Sequence, residues 1–120
     1  MSAPSIAVVG SVNLDLVARV ERLPRPGETV TEATFARVKG GKGANQAVAC
    51  ARLGAETTLV CAVGTDPFAE EALPAEERLT VAAARIDAPT GVALILVDAA
   101  GENQIAVAPG ANSRLGEVEL

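Results

Sequence analysis

The sequence predicts an α/β fold in which a parallel sheet carries a small antiparallel β layer, and three observations lead there. An apolar run at Ser5 to Val9 and another at Thr57 to Ala62 lie either side of a helical segment at Ala44 to Leu53, the pattern of a β-α-β unit with an insertion. The insertion, Leu14 to Val38, holds two β-rich runs around the turn Leu23-Pro24-Arg25-Pro26-Gly27. Further on, Gly91 to Asp98 and Asn103 to Ala108 flank Ala99-Ala100-Gly101-Glu102, a hairpin with a short glycine-containing loop.

The first strand, Ser5 to Val9, is uncharged and continuously apolar from Ile6, as strands buried in parallel sheets are. It runs into Gly10-Ser11-Val12-Asn13-Leu14-Asp15. Residues two apart in an extended segment share a face, so Asn13 and Asp15 point the same way while Leu14 packs behind. A carboxylate accepts two hydrogen bonds and an amide both donates and accepts, so the pair can hold vicinal hydroxyls. An Asx-turn pair closing a strand end is the alternative reading of Asn-x-Asp.

The helical segment is introduced by Gly40-Gly41-Lys42-Gly43-Ala44-Asn45-Gln46-Ala47. Two adjacent glycines let backbone N–H groups approach a ligand with no Cβ in the way, and the turn delivers them, with one cation and one amide, to a positive helix end. Such a place suits oxygen-rich ligands. The alternative is a tight strand-to-helix turn whose glycines serve packing. Gly54 is placed as the helix stop. Between Phe68 and Pro89 the stretch AEEALPAEERLTVAAARIDA has Pro74 inside a helical region. Proline costs roughly 3 kcal/mol in a helix interior, so the helix breaks near Leu73 or restarts with Pro74 in its first turn.

At 120 residues and 49% hydrophobic the chain can bury one core. Its formal charge of -5 argues against nucleic-acid or anionic-membrane partners, which want a basic face. No stretch is long and apolar enough to span a bilayer, no secretory signal is evident, and the cytoplasm is the expected compartment. Cys50 and Cys61 sit among Ala, Val and Leu with no histidine in the chain to form a nucleophilic pair, so both read as small buried hydrophobes. Phe35 and Phe68 are the only aromatics, which leaves no stacking platform for bases. A dinucleotide-binding fold is disfavoured because Gly10-Ser11-Val12-Asn13 lacks G-x-G-x-x-G.

Five segments, GSVNLDLV from Gly10, LPRPGETV from Leu23, GGKGANQAVACARLG from Gly40, VGTDPF from Val63 and PTGVALILVDAAGENQIAVAPGAN from Pro89, resemble the ribokinase-like (PfkB-type) carbohydrate kinases. The resemblance implies a doubly wound sheet of which residues 1–120 form an N-terminal part, with lid strands inserted at about 14–38 and 91–108. It implies a sugar site of Asn13, Asp15, Gly41, Lys42 and Asn45 for ribose, with another pentose or deoxyribose as alternatives. ATP and Mg²⁺ are implied as cofactors, a monovalent cation being left open, and pairing of two lids implies a homodimer.

The family's Gly-Ala-Gly-Asp segment, with its catalytic aspartate and anion-hole glycines, occurs nowhere in these 120 residues, nor does its adenine-binding region. A glutamate from the middle of the family's chain, which contacts the sugar or metal-phosphate region, also falls beyond Leu120. No catalytic, cofactor-binding or metal-binding residue is therefore expected in this chain. Two functions stand side by side: the sugar-binding and lid portion of an ATP-dependent sugar kinase, or a non-catalytic truncated or split module that keeps sugar binding and lid dimerisation. A C-terminal complementary half is the alternative partner, and Glu117-Val118-Glu119-Leu120 reads as an interrupted helix.

Overall fold

The computed structural model describes residues 3–117, and every structural statement below concerns those residues. The chain runs β1 (Ser5–Val9), β2 (Asn13–Arg19), β3 (Thr34–Gly40), α1 (Lys42–Arg52), β4 (Glu56–Val63), α2 (Phe68–Ala72), β5 (Leu79–Arg85), β6 (Val92–Val97), β7 (Asn103–Ala108) and a closing 3-10 helix (Gly110–Glu117). The strands form two sheets. A parallel sheet has the order β1-β4-β5, and a second sheet has the order β3-β2-β6-β7.

The expected β-α-β unit is present, with β1 parallel to β4 from Ser5↔Glu56 to Val9↔Val60. Helix α1 starts at Lys42, two residues before the expected Ala44, because Gly41 takes φ 100 and turns the chain sharply into the helix. It ends as foreseen. Leu53 is the C-cap, Gly54 takes φ 102, and the N–H groups of Gly54 and Ala55 donate to the carbonyls of Ala51 and Cys50, which closes a Schellman motif.

Leu59, Cys61 and Val63 alternate along one face of β4 and meet Ala44 and Ala47 of α1 and Ala69 and Ala72 of α2, with Val12 and Leu14 completing the core. Alanine on both helices lets α1 lie close to the parallel sheet and α2 close to β2 and β3. β1 departs from expectation, since only Val8 is half-buried and Val9 remains 53% exposed. The reason is its place: β1 is an edge strand with β4 on one side. Cys61 is fully buried as expected, whereas Cys50 is only partly so; both are free thiols.

The stretch after Phe68 resolves into a five-residue helix and a third parallel strand. Leu73 is extended (φ -67, ψ 130) because a residue before proline is pushed out of the helical region, so α2 stops at Ala72. β5 then pairs with β4 from Thr57↔Leu79 to Val63↔Arg85. In the second sheet the hairpin pairs β2–β3 and β6–β7 are antiparallel as expected, but β2 and β6 join them in parallel, Leu14 facing Val92. Both strands run outward from the parallel sheet, β2 following β1 and β6 following β5, so they point the same way. No helix among the described residues is long and apolar enough to cross a membrane. The interrupted helix expected at Glu117 to Leu120 lies, from Val118 on, outside the described residues.

Candidate functional site

Of the expected sugar residues, Asn13, Asp15 and Gly41 come together where the two sheets meet, and glycines make that junction possible. A Cβ on Gly43 would lie 2.6 Å from Ser11 N, and one on Gly41 would lie 2.6 Å from Ser11 O and 2.9 Å from Val12 Cα. Bare backbone lets the first turn of α1 press onto the Gly10–Asn13 segment, where Ala44 N donates to Ser11 O at 3.0 Å. The β2–β3 register then sets Asn13 opposite Gly40 and Asp15 opposite Val38. Asn13 and Asp15 share a sheet face while Leu14, 1% exposed, points into the core.

Asp15 lies half-buried over Gly40, its carboxylate oxygens 2.5 and 2.6 Å from where a Cβ of residue 40 would stand. Gly40 is thus what gives the carboxylate its place. No hydrogen bond or ion pair to Asp15 occurs among the described residues, and burial pushes its carboxyl above the usual range. Asn13 differs. Its Oδ1 accepts from Asn112 Nδ2 at 2.8 Å, and its own NH₂ has no hydrogen-bond partner among the described residues.

Lys42 is exposed at the start of α1 and unpartnered among the described residues, whereas Lys39 donates its Nζ to the carbonyls of Glu71 (2.5 Å) and Leu73 (2.8 Å). Lys42 is therefore the free lysine of the two. Asn45, one turn along α1, is exposed and lines a groove of about 500 Å³ with Lys39, Val48, Arg52, Pro74 and Glu76. The structure brings Asn13, Asp15 and Gly41 together with Lys42 next in chain, and sets Asn45 on the separate groove that Lys39 lines, Lys39 standing opposite Leu14 rather than on the Asp15 face. Chemically the ensemble offers two carboxylate acceptors, an amide donor, one cation and a helix N-terminus, a set suited to neutral hydroxyls with little negative charge.

Two features escaped the sequence reading. Asn112 reaches back to Val12 and Asn13, some 100 positions away, and no local pattern signals such a contact. Asp66 accepts from both Thr90 N and Thr90 Oγ1 at 2.7 Å, and the same Oγ1 accepts from Gly64 N at 2.9 Å, which ties β4 to the start of β6. Burial raises the Asp66 carboxyl, but hydrogen bonds from Thr90, Ala69 and Phe68 outweigh it and hold the group below its usual value. No cluster of three or more His, Cys, Asp or Glu side chains able to hold a metal occurs among the described residues.

Residues 3–120 match the model of the pfkB family of carbohydrate kinases. The chain is 40% identical to a ribokinase of Haemophilus influenzae over 95% of its own length and 39% of that protein. It is 35% identical to a deoxyribokinase of Salmonella typhi over 96% of its length and 39% of that protein. Among solved structures, a ribokinase of Giardia lamblia matches with a TM-score of 0.77 at 37% identity, over 95% of this chain and 36% of that one. The Arabidopsis thaliana ribokinase solved with ribose and ATP matches with a TM-score of 0.72 at 36% identity, over 92% and 38%. The chain thus spans about two fifths of the length of these relatives, and on the family match it belongs to the pfkB family of carbohydrate kinases.

Proposed function

We propose that this chain is the sugar-recognising and lid portion of a ribokinase-type enzyme, which transfers the γ-phosphoryl group of ATP to a hydroxyl of ribose or a similar pentose. The observation that carries the reading is the half-buried Asp15 carboxylate, without a partner among the described residues, beside Asn13 on one strand face and next to the Gly40-Gly41 turn. Leaving a desolvated carboxylate unpaired costs stability, and a ligand that supplies two hydroxyl donors repays it. Asn13 then donates to a hydroxyl oxygen, and Lys42 with Asn45 extends the polar set along α1. Ribose is preferred over a sugar phosphate because Lys42 is the one unpartnered lysine at the site.

These residues bind and orient; they do not supply the chemistry. Phosphoryl transfer needs a base on the hydroxyl and donors on the γ-phosphate, and the Gly-Ala-Gly-Asp segment that provides both in the family is not among these 120 residues. The described residues offer no cluster of three or more His, Cys, Asp or Glu side chains for Mg²⁺ either. Asp15 is a poor substitute base, since a carboxylate bonded to two substrate hydroxyls is placed for binding. The second sheet is proposed as the lid; it exposes apolar side chains on both faces, Leu94 on one and Val38, Ile105 and Val107 on the other, and one of these faces is proposed to pair with a second copy. Two free cysteines fit a reducing cytoplasm.

The test is ribose-dependent ADP formation. Purified residues 1–120 are expected to show none above a blank, and activity is expected when a C-terminal polypeptide carrying Gly-Ala-Gly-Asp is supplied. Turnover by the chain alone, lost in Asp15→Asn, would overturn the assignment of Asp15 to binding. A chain that binds ribose and gains no activity with any such half would instead support a non-catalytic sugar-binding module.

A further inference from the structure

We infer that Asn112 is a positioning residue: it fixes the amide of Asn13 so that the sugar site presents a donor from Asn13 beside the acceptors of Asp15. The inference rests on the proposed sugar site and adds its polarity. Val12 N donates to Asn112 Oδ1 at 3.0 Å, and Asn112 Nδ2 donates to Val12 O at 3.0 Å. A backbone N–H can only donate and a carbonyl can only accept, so Val12 leaves the Asn112 amide one orientation. The second Nδ2 proton goes to the side chain of Asn13 at 2.8 Å, and the atom receiving it has to be Oδ1. Asn13 is thereby obliged to turn its NH₂ outward.

Two further contacts hold the arrangement. Ala111, fully buried, donates its N–H to Pro89 O at 2.7 Å, and Asn112 N donates to Pro109 O at 3.0 Å, which anchors the segment carrying Asn112. A Cβ on Gly91 would collide with Asn112 Nδ2 and stand 2.6 Å from Asn13 Oδ1, so the amide pair occupies the space that glycine leaves. The outward NH₂ matters because a vicinal diol has only two hydroxyl hydrogens and the Asp15 carboxylate can take both. A donor from Asn13 then meets a free lone pair, whereas an outward Oδ1 would face one lone pair with another.

Asn112→Asp tests this on the full 120-residue chain. The new carboxylate still accepts from Val12 N but turns an oxygen toward Val12 O and Asn13 Oδ1, so the Asn13 amide is expected to flip. D-ribose affinity should fall about tenfold, and the side-chain amide signals of Asn13 should move in the ¹H–¹⁵N spectrum. A folded variant that binds D-ribose within twofold of the parent, or whose Asn13 amide signals stay in place, would overturn the inference. If Asn112→Asp does not fold, Asn13→Ala decides: one of the two Asn112 amide protons is expected to shift on losing its acceptor, and no shift overturns the coupling. If the parent chain itself fails to bind D-ribose, the sugar assignment falls, while these amide signals still judge the orienting contact.

Discussion

Asp15→Asn separates binding from stability, because the same carboxylate is expected to help one and harm the other. In the proposed bound state Asp15 would accept two hydroxyl hydrogen bonds with charge assistance, and an asparagine would accept one neutral bond in their place. The difference is about 2 kcal/mol, or roughly a 30-fold loss in affinity for D-ribose. Without ligand the sign reverses. Burial raises the folded-state carboxyl above its unfolded value, so the folded chain holds the proton more tightly and loses stability as pH rises through the window between the two values. Above both values that loss is complete, and Asp15→Asn removes it. Titration calorimetry with D-ribose and thermal unfolding at pH 7 and pH 3.5 measure both effects. The variant should bind weakly yet melt higher than the parent at pH 7, with the gain shrinking in acid. A variant that melts lower at pH 7 and binds ribose unchanged would refute the reasoning on both counts.

Asp66→Ala should cost about 2–4 kcal/mol in chemical unfolding, since it strands the N–H and hydroxyl of Thr90, which is 3% exposed. Asp66→Asn should flatten the acid limb of stability, because a carboxyl held low contributes above its unfolded value and the contribution is lost as pH falls through the folded one. Sedimentation at micromolar concentration should show a dimer, and Leu94→Lys and Ile105→Lys, on opposite faces of the second sheet by the β6–β7 register, should tell which face pairs. A monomer throughout that range would remove the lid contact. Iodoacetamide at pH 8 should label Cys50 and spare Cys61, whose thiol burial pushes up to about 11; equal labelling in the folded chain would contradict that burial.

Much of this molecule was legible because its signals are local. The strand pair β1 and β4, helix α1 and its Gly54 stop follow from apolar runs and cap residues, and Asn13 and Asp15 share a face because strand side chains alternate. The strand β5 was obscured by Pro74, whose effect on Leu73 ends α2 early and frees Leu79–Arg85 to pair with β4. The parallel β2–β6 contact depends on both strands leaving the same, C-terminal end of the first sheet, a property of topology that neither strand carries in its own residues. Asn112 was missed for the same reason: its partners lie at the far end of the chain, and only the packed junction brings them together.

The central claim, that the junction of the two sheets is a sugar site, is tested most directly by titrating D-ribose into the ¹⁵N-labelled 120-residue chain. Saturable shifts are expected at the backbone and side-chain amides of Asn13 and Asn45 and at the backbone of Asp15, Gly41 and Lys42, with an unbound control in Asp15→Asn at the same ribose concentration. Shifts confined to other residues, or the same shifts persisting undiminished in Asp15→Asn, would contradict it.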